Sequence, residues 1–473
     1  MAQTPSFGFN VLLAGMESLP VELLRLIFQF CDPGAVRALR LCSGKLAEVG
    51  EEYLVDPVFR SLPWRDDVKR LHALSGHERL NAAIEALVIN FAQMDEHNGR
   101  HTSYLQHFYQ DPEECSALLH EAWHRYYQAE GYRQDIPAFS SQAALVQEAF
   151  ARLPNLKDLR VTFTESPHDI EPIRQAFRLP GCRKMNRKQA CADLNVLISA
   201  VSAANLTSLE IDRLPLELFK VRHSRQHWFE SAPALANLTR LNITLDSSEV
   251  QMPTTKFRAM NGLGHFLRYA PNIEHLGLGF HNYSRPREKY QVWFGELFGP
   301  EFVFGRLTDL KLEGIACDEE DLRSFLARHG PTLRRLRLGG DWVAKLYEPG
   351  LGGIHLGRGT FRSFFSSLSR GRLLPNLERL HLQGDFESGM LVSRFHEKYN
   401  FHPVTREDWE EIPDEIRRSR IPRNTTDGLE FERFVLHGGE YPGTPTSTPS
   451  GTPSESPAGT PTGTLTPPTP ESV

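Results

Sequence analysis

Asn155-Leu156-Lys157-Asp158-Leu159-Arg160-Val161 decides how this chain is read, because its pattern keeps coming back. The form N-L-x-x-L-x-Φ, with Φ apolar, recurs at 205–211, 237–243, 272–278, 306–312, 332–338 and 376–382. Five of the seven copies begin with Asn, and 430–436 reads as a degenerate last copy. Alternate apolar residues such as Leu310 and Leu312 give the period of a short strand with one face inward. The earlier apolar residue, such as Leu307, fills the turn into that strand. A unit of this size buries its apolar edge only by stacking on its neighbours.

Taking the second Leu of each copy as a marker (Leu159, Leu209, Leu241, Leu276, Leu310, Leu336, Leu380), the spacings are 50, 32, 35, 34, 26 and 44 residues. This is a leucine-rich-repeat pattern, though irregular, since regular units run to about 20–29 residues. The extra length falls mainly at Glu165 to Ala204, Asp212 to Ala234, Gly340 to Ser369 and Glu387 to Asp427. Long connections are where partner contacts tend to lie. Helical stretches at Glu320 to His329 and Phe361 to Leu368 are expected on the convex side.

Upstream, Asp66 to Leu74, Glu113 to Glu130 and Ser141 to Leu153 show helical spacing of apolar residues. Asp111-Pro112 reads as the start of the middle helix and Gly131 as its stop. Ile84 to Phe91 looks more like a strand.

Further upstream lies Leu19-Pro20-Val21-Glu22-Leu23-Leu24-Arg25-Leu26-Ile27-Phe28. Pro20 suits a first helical position and Glu22 the first turn. The apolar residues wrap most of this helix, so it must be covered on more than one side. Asp32-Pro33 reads as an N-cap followed by Pro at N1 of a second helix, with a break near Ser43-Gly44. Leu19-Pro20-x-Glu22-Leu23-Leu24-x-x-Ile27-Phe28, then Asp32, then Leu39-Arg40-Leu41-Cys42-x-x-Lys45-Leu46, resembles an F-box. Together with the repeats, it is similar to the F-box/leucine-rich-repeat proteins common in filamentous fungi.

The resemblance implies a three-helix module that docks on the Skp-family adaptor of a cullin-RING ubiquitin ligase. Leu19, Pro20, Leu23, Leu24, Ile27 and Phe28 are the positions it assigns to the adaptor face. The departure from the family pattern is Gly44 and Ala47, where bulkier residues are common.

The expected class is therefore an α+β or α-β solenoid. It has a leader at 1–15, a small three-helix F-box module at 16–56 and a mainly helical linker at 57–152 with a first strand near 84–91. An irregular leucine-rich-repeat-like domain follows at 153–440, then a tail at 441–473. The tail is rich in Pro, Thr, Ser and Gly and holds seven Ser/Thr-Pro steps. It has too little apolar surface to offset the entropy of ordering.

The function expected is a substrate receptor of a Skp-cullin-F-box ligase, with an unknown protein substrate. The alternative is an adaptor-bound scaffold or regulator that sends nothing for degradation. A net charge of −6 over 473 residues argues against a nucleic-acid partner. Arg183-Lys184 with Arg187-Lys188, and Arg417, Arg418, Arg420 and Arg423, read as solvated surface. No stretch approaches a membrane span, and the six cysteines form no C-x-x-C pair. A cytoplasmic or nuclear address follows.

One motif points elsewhere. His120-Glu121-Ala122-Trp123-His124 is an H-E-x-x-H, which on a helix sets two His one turn apart for Zn²⁺ with Glu121 as general base. A zinc peptidase also needs a third ligand, and Glu148 is the one candidate. Gly350-x-Gly352-Gly353 has His355 where a dinucleotide loop needs Gly, and there is neither a Walker A loop nor a G-x-S-x-G elbow. No catalytic residue, cofactor or metal is assigned.

Overall fold

The computed structural model describes residues 15–100, 112–177, 180–220, 232–285, 288–340, 352–389, 397–401 and 426–442. The leader up to residue 14, the tail from 443, Asp111, Gly350 and the Arg417 to Arg423 cluster lie outside the described residues, as do parts of all four insertions.

After a helical turn at residues 15–17 come three short helices, α1 (Val21–Gln29), α2 (Pro33–Arg40) and α3 (Gly44–Val49). Asp32 caps α2 by accepting from Ala35 N at 2.8 Å, and Ser43 caps α3 by accepting from Leu46 N at 3.2 Å. Strands follow: β1 (Val58–Arg60), β2 (Ala86–Asn90), β3 (Gln93–Met94), β4 (Asp158–Thr162) and β5 (Arg183–Lys184). Next come β6 (Ser208–Pro215), β7 (Arg240–Asp246), β8 (His275–His281), β9 (Tyr290–Gln291) and β10 (Asp309–Glu313). The last are β11 (Ile315–Cys317), β12 (Arg335–Gly339), β13 (His355–Leu356), β14 (Arg379–Ser388) and β15 (Glu397–Phe401).

Thirteen of these form one sheet, ordered β1-β2-β4-β6-β7-β8-β10-β12-β14-β13-β11-β9, with β15 beside β14. All its pairings are parallel except β14 with β15. The register is the repeat itself. Leu87, Leu159, Leu209, Leu241, Leu276, Leu310, Leu336 and Leu380 stand side by side across successive strands. All eight are buried. Fully burying such a side chain stabilises by roughly 1.5–3 kcal/mol, so this row anchors the core. The leading Asn staples one turn to the turn before it: Asn155 Nδ2 donates to Ala82 O at 2.7 Å, Asn272 to Ala236 O at 2.9 Å and Asn376 to Pro331 O at 2.7 Å.

Helices cover the sheet. They are α4 (Asp67–Ser75), α5 (Pro112–Gln134), α6 (Ala143–Ala151), α7 (Glu171–Phe177), α8 (Arg187–Ala200) and α9 (Pro253–Arg268). Then come α10 (Phe294–Phe298), α11 (Glu319–His329), α12 (Phe361–Leu368) and α13 (Gly428–His437). One continuous apolar core runs from Phe59 to Val435.

This overturns the expected class. A small three-helix F-box module, a helical linker and a solenoid of separate repeats are replaced by an α/β fold, one large and almost wholly parallel sheet surrounded by helices. The physical reason is pairing at long sequence range. β1 and β2 come from the stretch expected to be linker, yet β2 hydrogen-bonds to β4 across the whole of α5 and α6. The Leu spacing reports buried strands, but it carries no information on how far hydrogen bonding continues between them.

Two local expectations also change. Segment 430–436 lies within α13, with Phe431, Phe434 and Val435 buried, so its apolar spacing is helical. Helix α5 runs through Gly131 to Gln134. A Gly inside an exposed helix costs about 1 kcal/mol but need not end it.

Candidate functional site

The sequence-assigned adaptor positions divide between two faces. Leu24 and Phe28 point inward and, with Val36, Leu46 and Val49, make a small core separate from that of the sheet. Phe28 stacks on Tyr53 with ring centres 5.7 Å apart. Leu19 and Ile27 are half-buried, Pro20 is exposed and Leu23 is 46% exposed. Leu26, Phe30 and Leu41 are also exposed, at 50%, 86% and 89%. Among the described residues, eleven large apolar side chains are exposed, and Val21, Leu23, Leu26, Phe30 and Leu41 are five of them. They come from a span of 21 residues. Such clustering marks an interaction surface more than scattered exposure does.

Helix geometry explains the division. Leu24 and Phe28 are four residues apart and share one face, whereas Leu23, Leu26 and Phe30 follow the i, i+3, i+7 rule on another. Leu26, Phe30 and Leu41 were not assigned from sequence. The i+3 and i+7 spacing was the signal available for the first two. The start of α1 is held by Lys45, whose Nζ donates to Glu17 O and Leu19 O, both at 2.7 Å.

A second group of polar residues lies at the carboxyl ends of the parallel strands, where open α/β sheets commonly bind ligands. Asp212 accepts from Phe163 N at 2.8 Å and from the Thr162 and Thr164 hydroxyls. Fully buried Asp246 takes Arg213 Nε at 2.9 Å and Arg187 Nη2 at 2.5 Å. Further along, Glu313 accepts from His281 Nε2 at 3.1 Å and pairs with Lys311 Nζ at 3.0 Å. Burial alone pushes the Glu313 carboxyl up, but Lys311 and His281 outweigh it and hold it well below the usual carboxylate range. Each carboxylate in this row is already bonded to a neighbouring strand or helix, so the row ties strand ends together. Of the cluster expected to be solvated surface, Lys184 and Lys188 are exposed, whereas Arg187 is half-buried and Arg183 is buried. Arg183 is 9% exposed and its Nε donates to Phe177 O at 2.5 Å.

Compared with family models and with curated proteins, the sequence gives no match. Among the described residues, no helix is long and apolar enough to cross a membrane.

The H-E-x-x-H lies on α5 with His120, Glu121 and His124 exposed. Glu121 pairs with Arg125, and His124 Nε2 lies 3.1 Å from the Gln128 amide. Glu148 of α6 is engaged elsewhere, with His72 Nε2 at 2.8 Å and with Arg152. The fold does not bring the three together, and among the described residues no group of three or more metal-ligating side chains occurs.

A cavity of about 310 Å³ opens between β1, β2, α4, α6, α8 and the segment after α5. Nothing in the sequence pointed to it, because its walls come from residues 59 to 193 and meet only through the sheet.

Proposed function

We propose that this chain is a substrate-receptor subunit of a Skp-cullin-F-box ubiquitin ligase. Helices α1–α3 dock the Skp-family adaptor, and the sheet domain holds a protein substrate. The observation that carries the reading is the apolar surface of Leu23, Leu26, Phe30 and Leu41 around a small interior of five buried side chains with partly buried neighbours such as Leu39 and Tyr53. So small a unit gains little from folding alone and favours a partner that covers its outer face. Leu24 and Phe28 serve this surface from inside by fixing the direction of α1. Transfer chemistry belongs to other subunits, and the contribution of this one is proximity and orientation.

The test is co-purification of the tagged full chain from cells, beside a Leu23→Ser/Leu26→Ser variant checked by circular dichroism. Wild type is expected to retain the adaptor and a cullin, and the variant to lose both by more than about tenfold with its spectrum unchanged. Recovery of no adaptor by wild type rejects the reading. Ubiquitin transfer to a co-purified protein in a reconstituted reaction distinguishes a receptor from a scaffold.

A further inference from the structure

We propose that the cavity beside α4, α6 and α8 is a binding site for a small, uncharged, mostly apolar molecule that carries one hydrogen-bond donor. At about 310 Å³ it exceeds the water-sized voids of close-packed interiors and reaches the range of about 300–1,000 Å³ typical of ligand sites. Its floor is apolar and buried, with Phe59, Leu71 and Phe150 each under 5% exposed. Ala138 and Pro137 at its rim are exposed, so the cavity has a mouth.

The polar groups of the wall define the ligand. Arg65, on the rim, is already paired with Asp67 at 2.6 Å, and Asp193 accepts from Ser140 N at 2.8 Å and Gln189 Nε2 at 2.7 Å. The other charged groups of the wall are engaged as well, Asp66 with Lys69 and Arg133 with Glu130, so an ion entering the cavity would lose hydration without gaining a free counter-charge, which favours a neutral occupant. Gln142 differs. It is 8% exposed, and its Nε2 donates to Pro137 O at 3.3 Å, which fixes the amide orientation. Its Oε1 is buried and, among the described residues, has no hydrogen-bond partner. It is the one such side-chain atom among the cavity-lining residues. Buried acceptors are nearly always satisfied, so this one calls for a donor, such as a hydroxyl or amide N–H, on the occupant.

The site lies on the sheet domain and stands independently of the adaptor surface. To test it, 4-phenylphenol and 4-methoxybiphenyl (the same ring pair with and without the donor) are titrated calorimetrically into the full chain. Gln142→Leu and Ala138→Trp variants of matched circular dichroism are treated in the same way. Wild type is expected to bind 4-phenylphenol saturably at one site, about tenfold tighter than the ether. Gln142→Leu should bring the two within about twofold, and Ala138→Trp at the mouth should weaken both about tenfold or more. The proposal is overturned by absence of saturable binding in wild type, by unchanged binding in Ala138→Trp, or by a donor preference that persists in Gln142→Leu.

Discussion

Arg213 Nε donates to Asp246 Oδ2 across 2.9 Å, joining the ends of β6 and β7 with both side chains buried. The contact exists because β6 is irregular. Its register against β7 slips by one residue between Ile211 and Leu214, and this bulge contains Asp212 and Arg213. Arg213 is thereby set against Asp246, with its guanidinium 3.7 Å from the centre of the Tyr283 ring. Asp212 binds the end of β4 instead. Arg187 completes the group from α8 and also reaches Glu217 at 2.7 Å, which ties a crossover helix to the strand ends.

Replacing Asp246 by Asn should therefore cost more than a surface ion pair. Arg213 loses its counter-charge in a buried environment while Arg187 keeps only Glu217, and breaking a buried pair from one side costs about 3–5 kcal/mol. Urea unfolding at neutral pH measures it. The pH dependence has a definite sign. Burial raises the Asp246 pKa, but Arg213 and Arg187 outweigh burial and leave it below its ordinary value of 3.8. Its stabilisation is thus present above that value and is lost as pH falls through the lower, folded one. Wild type should show this acid loss and Asp246→Asn should not.

Leu23 and Leu24 are adjacent in sequence and opposite in consequence. Leu24→Ala empties part of a core whose other fully buried members are Phe28, Val36, Leu46 and Val49, and should destabilise α1–α3 by about 2–4 kcal/mol. Leu23→Ala should change stability by less than about 0.5 kcal/mol while weakening adaptor retention. Amide exchange of α1 together with co-purification separates the two. Equal protection in both variants would contradict the assigned faces.

What the sequence made legible follows from the range of the interaction. The repeats marked the strands because alternation of Leu310 with Leu312 is local, and Asp32-Pro33 marked a helix start because a cap needs only four residues. The continuity of the sheet was not legible. It depends on Leu87 pairing beside Leu159, 72 residues on, with α5 and α6 among the segments in between. Nor was the group at Asp246, whose partners at 187 and 213 approach through a bulge and a crossover. The faces of α1 were half legible: its period was visible, but the direction of the core was set by Val36 and Leu46 on other helices. The cavity at Gln142 left no trace, since an unpaired acceptor is a property of packing.

Gly314 sits where the chain leaves β10 and turns into β11, at φ +67°. A Cβ at this position would lie 2.2 Å from Phe280 O, and that backbone belongs to β8. Gly314→Ala thus combines left-handed strain with a collision against a strand, and a loss of at least about 3 kcal/mol is expected. Gly305→Ala is the control, because a Cβ there meets nothing within 4 Å. A fall in melting temperature confined to Gly314→Ala is the predicted result. Equal effects at both positions would refute the corner as a constraint.

His168 gives the clearest pH signature. Its ring is 6% exposed and stacks on Trp64 with centres 4.5 Å apart, with Tyr126 at 5.3 Å and Phe177 at 6.4 Å. Burial among these rings lowers its pKa from 6.5 to about 4, and the opposing pull of Asp169 is weaker. The folded state therefore binds its proton less readily than the unfolded state. Above pH 6.5 both hold the neutral imidazole and nothing is lost; as pH falls from 6.5 toward about 4, the unfolded chain takes up the proton first and stability declines. Linkage puts the loss from this group at about 2 kcal/mol between pH of about 7.5 and about 5. His168→Phe keeps a ring in the stack and removes the proton, so urea unfolding of the variant should be flatter over that interval by this amount. If wild type and variant decline in parallel, His168 is solvated enough to titrate normally and the aromatic packing around it is looser than the structure shows.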